Sequence, residues 1–288
     1  MNILNELSET TEALYNRHLS VSKDWYPHLE IPYEIASNYK EKDWSPEQYP
    51  LDEAVRSAIY VNLLTEDNLP YYTNTIISHA PEGHPLRDWT MQWTSEEWRH
   101  SAVIRDWALA TRAIDPIYLE DGRRVQMSKG EVPQPDSLAE LMVYTSLQEL
   151  ATQVAHRNTG KMLDKELNGR KIMAMVAGDE GLHHEFYSGL ATKAFEIDPS
   201  TMVIAALKEL KGFKMPGTGI PDFDRHSKII EKAGIYNIPQ FFENVVTPTF
   251  NRWDIESLTN LSNDAEHARD KLLRHIALLA RIATRSLR

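Results

Sequence analysis

The side chains in this chain best suited to chemistry are a glutamate and a histidine three positions apart, and the pair occurs twice. Glu97 and His100 lie in Trp93-Thr94-Ser95-Glu96-Glu97-Trp98-Arg99-His100, and Glu180 and His183 lie in Asp179-Glu180-Gly181-Leu182-His183. Residues three apart share one face of an α-helix, so each pair can grip a metal ion from a single helix. Each pair is also preceded by another glutamate, Glu66 and Glu149, at the same interval of 31 residues. Four carboxylates and two imidazoles on four helices are the ligand inventory of a carboxylate-bridged two-metal bundle. One such motif alone says little, because 11 histidines and 25 glutamates in 288 residues produce roughly one Glu-x-x-His by chance. The matched repetition is what carries information. Oxygen and imidazole donors suit iron or manganese better than copper or a closed zinc site, so redox chemistry with O₂ is the leading expectation.

These side chains need helices that turn them inward. Leu51 to about His79 reads as a first long helix carrying Glu66, with Pro70 expected to kink it beside the metal, because proline offers no N–H to the carbonyl four residues back. After a turn at residues 80–85, Trp89, Trp93, Glu97, His100, Ile104 and Trp107 recur at spacings of three and four. The third helix begins at Ser137, an N-cap with Glu140 three residues on, and its inner stripe includes Leu141, Thr145, Glu149, Thr152 and His156. The fourth runs from Gly169 to about Ile197 with Val176, Glu180, His183 and Tyr187 in register. All four glutamates therefore fall on apolar stripes, where an unpaired carboxylate is costly and must protonate, pair or bind metal. Glu96 and Asp179 adjoin the ligands and are the expected carboxylate partners of the two imidazoles, each serving the histidine of the other helix. His184 points about 100° away from His183 and is expected at the surface or in a supporting position.

The remaining chain reads as flanking structure. Residues 2–19 form a short amphipathic helix, and 20–50 an irregular arm over the bundle. The polar stretch 115–135, with Asp121-Gly122, reads as a surface loop or short hairpin. Helices are expected at 199–211, 222–233 and 239–253, with a last one from Asn263 to the C-terminus. No convincing strand pattern occurs. The expected class is all-α, a ferritin-like four-helix core over 51–197, with 1–50 before it and 198–288 after it in one domain.

Composition narrows the function. The chain has no cysteine, which excludes disulfides, thiolate zinc sites, Fe–S ligation and cysteine nucleophiles. A net charge of −11 argues against general nucleic-acid binding, and no apolar run is long enough to span a bilayer. The acidic N-terminus has neither the basic nor the apolar region of a secretory signal, so a cytoplasmic location is expected.

Four segments together, Thr65-Glu66-Asp67-Asn68-Leu69-Pro70, Trp93 to His100, Tyr144 to Thr152, and Asp179 to His183, resemble the soluble acyl-carrier-protein desaturases, in particular the compact actinobacterial type. Trp98, Ser101 and Gly181-Leu182 depart from the plant pattern, in positions that touch the surroundings of the cluster and the channel. The resemblance covers about residues 40–260 and implies a homodimeric bundle with two Fe ions, manganese being the alternative metal. Such an enzyme of fatty acid biosynthesis uses O₂ and two electrons, usually from ferredoxin, to desaturate a saturated acyl chain on acyl carrier protein. It further implies that Thr152 lies near the oxygen-binding side of the cluster, and that Trp44, Asp179 and Arg99 relay electrons from the surface. The alternatives are a di-iron hydroxylase or N-oxygenase, which shares the cluster, and a catalytically inactive metal-binding homologue. A ribonucleotide reductase small subunit is disfavoured because Ile104 stands where a tyrosine is needed.

Overall fold

A computed structural model describes residues 3–286. All regular structure among them is helical: α1 (Ile3–Glu6), α2 (Ser8–Val21), α3 (Pro27–Glu30), α4 (Glu53–Glu66), α5 (Leu69–Ser78), α6 (Pro85–Ala110) and α7 (Pro116–Lys129) make the first half. The second half comprises α8 (Leu138–Met162), α9 (Leu167–Ile197), α10 (Pro199–Gly212), α11 (Phe223–Lys232), α12 (Ile238–Phe241), α13 (Thr247–Arg252) and α14 (Asn263–Ser286). The ferritin-like core is formed by α4 with α5, α6, α8 and α9, and α8 lies along α9 over most of its length. The flanking helices cover it: α2 against α6 and α9, α11 against α4, and α10 on α8 beneath α14. No helix among the described residues is long and apolar enough to cross a membrane.

The cap expected at Ser137 is present, its side chain accepting from the Glu140 N–H. Three other expectations needed correction. The first long helix does not merely kink. It stops at Glu66 and restarts at Leu69, with Pro70 in the first turn of α5, where its missing N–H costs nothing. The two residues between are held by tertiary bonds: Asn68 Nδ2 donates to Glu131 O at 3.1 Å, Ser101 Oγ donates to Asp67 at 2.6 Å, and Arg105 pairs with Asp67. The expected helix 239–253 is likewise divided into α12, a π-turn at Phe242–Val246, and α13. Pro248 at the start of α13 has no N–H for the regular ladder, and the wider turn accommodates it.

The third correction concerns residues 115–135, which hold a full helix, α7, rather than a loop or hairpin. Asp115 caps it by accepting from the Ile117 and Tyr118 N–H groups, Pro116 starts it, and Gly130 ends it with φ of 62°. Asp121-Gly122 resembles a turn but sits mid-helix because Gly122 lets α7 close on α4. A Cβ there would lie 2.1 Å from Tyr60 Oη and 3.0 Å from Leu64 Cδ1. Arg123 and Arg124 are paired along the helix, with Glu120 at 2.6 Å and Asp121 at 3.8 Å, while Lys129 donates to the Gly219 carbonyl at 3.2 Å.

This contact is open to a direct test. Gly122→Ala forces the fully buried Tyr60 away and should lower unfolding stability by about 1–3 kcal/mol in urea melts. An unchanged midpoint would show that the α4–α7 contact yields without cost.

Candidate metal centre

The four core helices each deliver a carboxylate to one place. Glu66 is the last residue of α4, Glu97 and His100 project from α6, Glu149 from α8, and Glu180 and His183 from α9. All six are buried. Their donor atoms form two groups, Glu66, Glu97, His100 and Glu180 in one and Glu97, Glu149, Glu180 and His183 in the other, each within 4.8 Å of one another. Glu97 and Glu180 belong to both, so they lie between the two positions, while Glu66 with His100 and Glu149 with His183 lie at the ends.

The imidazoles are oriented by acids on the opposite helix. His100 Nε2 donates to Asp179 Oδ2 at 3.1 Å, and His183 Nε2 donates to Glu96 Oε2 at 2.8 Å. This crosswise arrangement puts the proton of each neutral ring on Nε2 and turns Nδ1 to the cluster. His183 Nδ1 lies 2.9 Å from Glu97 Oε1 and 3.6 Å from Glu149 Oε2, and His100 Nδ1 lies 3.5 Å from Glu97 Oε2. Both Nδ1 atoms, with Glu97 Oε1 and Glu149 Oε2, are buried without a hydrogen-bond partner among the described residues. Converging unpartnered donor atoms are expensive in a protein interior and are what metal ions would satisfy, so the residues fit a two-metal centre.

The metal-free electrostatics say the same. Burial raises the Glu66 carboxyl well above its usual range, and the Glu97 and Glu180 carboxylates raise it further. Burial likewise raises Glu149. Glu97 goes the other way: burial opposes its charge, but His100 and His183 hold it well below the usual range. For His100, burial favours the neutral ring, yet Glu97 and Asp179 raise its pKa to about 10. His183 is raised well above normal against the same burial, with Glu149 and Glu180 foremost. Without metal, protons therefore supply the positive charge that four clustered carboxylates require.

Around the cluster, Trp93 Nε1 donates to Glu149 Oε1 at 3.1 Å, and Thr152 Oγ1 lies 3.0 Å from Glu180 Oε2. His156 Nε2 reaches Glu66 Oε1 at 3.4 Å, and burial lowers its pKa to about 4, leaving the ring neutral. His184, expected at the surface or in support, is buried and bonded through Nδ1 to Ser146 O at 2.8 Å, so it joins α9 to α8.

The expected trio of Trp44, Asp179 and Arg99 does not assemble. Trp44 Nε1 donates to Arg112 O at 2.8 Å, beyond the far end of α6, with Arg56 over its ring. Trp25 occupies the expected position instead. Its Nε1 donates to Asp179 Oδ2 at 3.0 Å, Arg99 lies 4.2 Å over its ring and 2.6 Å from Asp179, and the ring is parallel to His100. Both tryptophans lie in the irregular arm, where no periodicity ties a position to the bundle. His18 of α2 also bonds Glu96, and one histidine on a short amphipathic helix has no pattern in the sequence that marks it.

Two clefts border the cluster and share Thr65, Glu66 and Thr152 in their walls. One runs between α5, α6 and α8 past Leu69, Tyr72, Ile76, Trp93 and Leu141, with about 30 Å³ of open space. The other, with about 170 Å³, passes Ala155, Met215, Pro216, Phe223, Ile235 and Tyr236 toward α11.

Because bound metal must displace protons held by Glu66, Glu149, His100 and His183, its affinity should rise with pH, by about tenfold per unit for each proton released. Fe²⁺ or Co²⁺ titrations between pH 6 and 8 measure this, and pH-independent binding would contradict the assignment.

The whole chain, residues 1–288, matches the sequence profile described as fatty acid desaturase. Among curated proteins it is 34% identical over 283 residues to DesA1 of Mycobacterium tuberculosis, provisionally named an acyl-(acyl-carrier-protein) desaturase, covering 94% of this chain and 83% of that one. It is 27% identical over 271 residues to the chloroplastic stearoyl-(acyl-carrier-protein) 9-desaturase 1 of Arabidopsis thaliana, covering 88% of this chain and 68% of the other. The X-ray structure of DesA2 from Mycobacterium tuberculosis shares the fold, with a TM-score of 0.75 and 22% identity over 90% of this chain and 97% of that one.

Proposed function

The chain belongs to the fatty acid desaturase family, and from that premise we propose that it is an O₂-dependent acyl-carrier-protein desaturase with a di-iron centre. Glu66 and His100 would help hold one iron and Glu149 and His183 the other, with Glu97 and Glu180 common to both donor groups. When bound, the two irons supply the O₂ reduction and C–H cleavage that the side chains cannot. The balance is a –CH₂–CH₂– segment, O₂, two electrons and two protons giving –CH=CH– and two waters.

The observation that carries this reading is the pair of largely apolar clefts that share Glu66 and Thr152 of the cluster's edge. A storage protein needs no such passage. A saturated chain threaded from one cleft to the other passes beside Glu66 and Thr152, with apolar side chains excluding water along it. The wider cleft near Met215 and Tyr236 admits the chain, and the tighter one between α5 and α8 receives its methyl end. The carrier protein remains outside. Thr152 Oγ1 holds a proton within hydrogen-bond reach of Glu180 Oε2, in the wall common to both clefts. Neutral His156 lines the wider cleft beside Glu66 without adding charge to it.

Electrons would arrive from a ferredoxin-type donor through Trp25, Asp179 and Arg99, which connect a half-buried ring to His100. A homodimer is the expected assembly, as the family resemblance implies. The product test uses a saturated acyl carrier protein with ferredoxin, reductant and O₂, followed by mass spectrometry of the acyl chain. Loss of two hydrogens supports desaturation, an added oxygen would favour a hydroxylase, and an unchanged chain would overturn the proposal. Trp25→Phe should slow reduction of the centre while iron stays at two per chain, since Arg99 still holds Asp179. Unchanged reduction kinetics would remove Trp25 from the route.

A further inference from the structure

The two proposed ligand histidines are held by similar acids, but the acids are braced differently. Asp179 is bonded by the Arg99 guanidinium at 2.6 Å and the Trp25 indole at 3.0 Å. Glu96 instead accepts at Oε1 from Gln92 Nε2 at 2.7 Å and His18 Nε2 at 3.0 Å, leaving Oε2 for His183. Gln92 is one turn before Glu96 on α6, so it moves with Glu96 and cannot fix it relative to α9. His18 comes from α2, which packs against both α6 and α9.

We infer that His18 is a positioning residue for the Glu149–His183 half of the centre, fixing Glu96 so that His183 presents Nδ1 to the metal. This rests on the di-iron reading. The His18 ring is itself immobilised: it is buried, sits edge-on to Trp89 at 4.9 Å, and lies nearly parallel to His183 at 5.9 Å. Trp89 in turn stacks on Phe186 of α9 at 3.7 Å. With both Glu96 oxygens engaged across helices, the carboxylate cannot rotate, and the His183 Nε2–H keeps its acceptor. His18 also separates Glu96 from a small surface cleft with about 30 Å³ of open space, lined by Leu14, Arg17, Val21, Leu182 and Phe186. Without His18, Oε1 of Glu96 keeps only Gln92 of its own helix, and nothing but His183 itself ties the carboxylate to another helix. The N-terminal helix thereby becomes part of the metal centre's support.

The test uses Co²⁺, whose visible bands report each site, added to the full metal-free chain. Wild type should bind two ions. His18→Leu, which fills the space without donating, should weaken one of the two by about 10–100-fold and shift its bands while the other is unchanged. His18→Asn, too short to reach Glu96, should behave the same and guards against a folding failure of the leucine variant. His18→Gln, whose amide reaches as far as imidazole Nε2, should restore both affinity and spectrum. A wild type that binds no cobalt would overturn the metal reading and this inference with it. Two normal sites in the Leu and Asn variants would overturn the brace alone, as would equal weakening of both sites.

Discussion

Four carboxylates buried within one small volume set the terms for the rest of this structure. An isolated buried carboxylate is driven to protonate, and several together repel as well, so the cluster survives only where positive charge is supplied. In the metal-free chain that charge is protons on Glu66, Glu149, His100 and His183. The proposed irons would replace them with fixed charge at the points where Glu97 and Glu180 are shared. The long antiparallel contact of α8 with α9 and the aromatic packing around Trp89 supply the apolar burial that keeps such a site closed.

Closure on every side would leave no room for a substrate, and the break between α4 and α5 addresses that conflict. Ending α4 at Glu66 presents the carboxylate at a helix end rather than mid-helix, next to the walls of both clefts. Asp67 and Asn68 are then free to bond α6 and the Glu131 carbonyl, which tie the interruption to its neighbours. The polar side of the cluster, with its crosswise acids, faces α2 and the arm. Its open side faces the clefts.

The N-terminal fifth of the chain consequently matters more than its irregularity suggests. His18 and Trp25 lie within seven residues of each other, yet each reaches a different acid and thereby a different histidine. A helix and an arm draped over the bundle join α6 to α9 through the two carboxylates that orient the imidazoles.

The metal-binding pattern was legible in the sequence because its geometry is local. Glu-x-x-His needs only the helical repeat, and the inward stripes of α6, α8 and α9 identify Glu97, Glu149 and Glu180 as buried without knowing their neighbours. The adjacency of Glu96 and Asp179 to those ligands likewise marked them as supports. Other features depend on contacts between distant segments. Gly122 reads as a turn until Tyr60, 62 residues earlier, is seen to occupy the space a Cβ would need. Trp44 and Trp25 are equivalent candidates in an arm with no repeat, and only packing sends one to Arg112 and the other to Asp179. Periodicity determines which side chains turn inward on one helix, whereas which of them meet across helices is decided by how the helices dock.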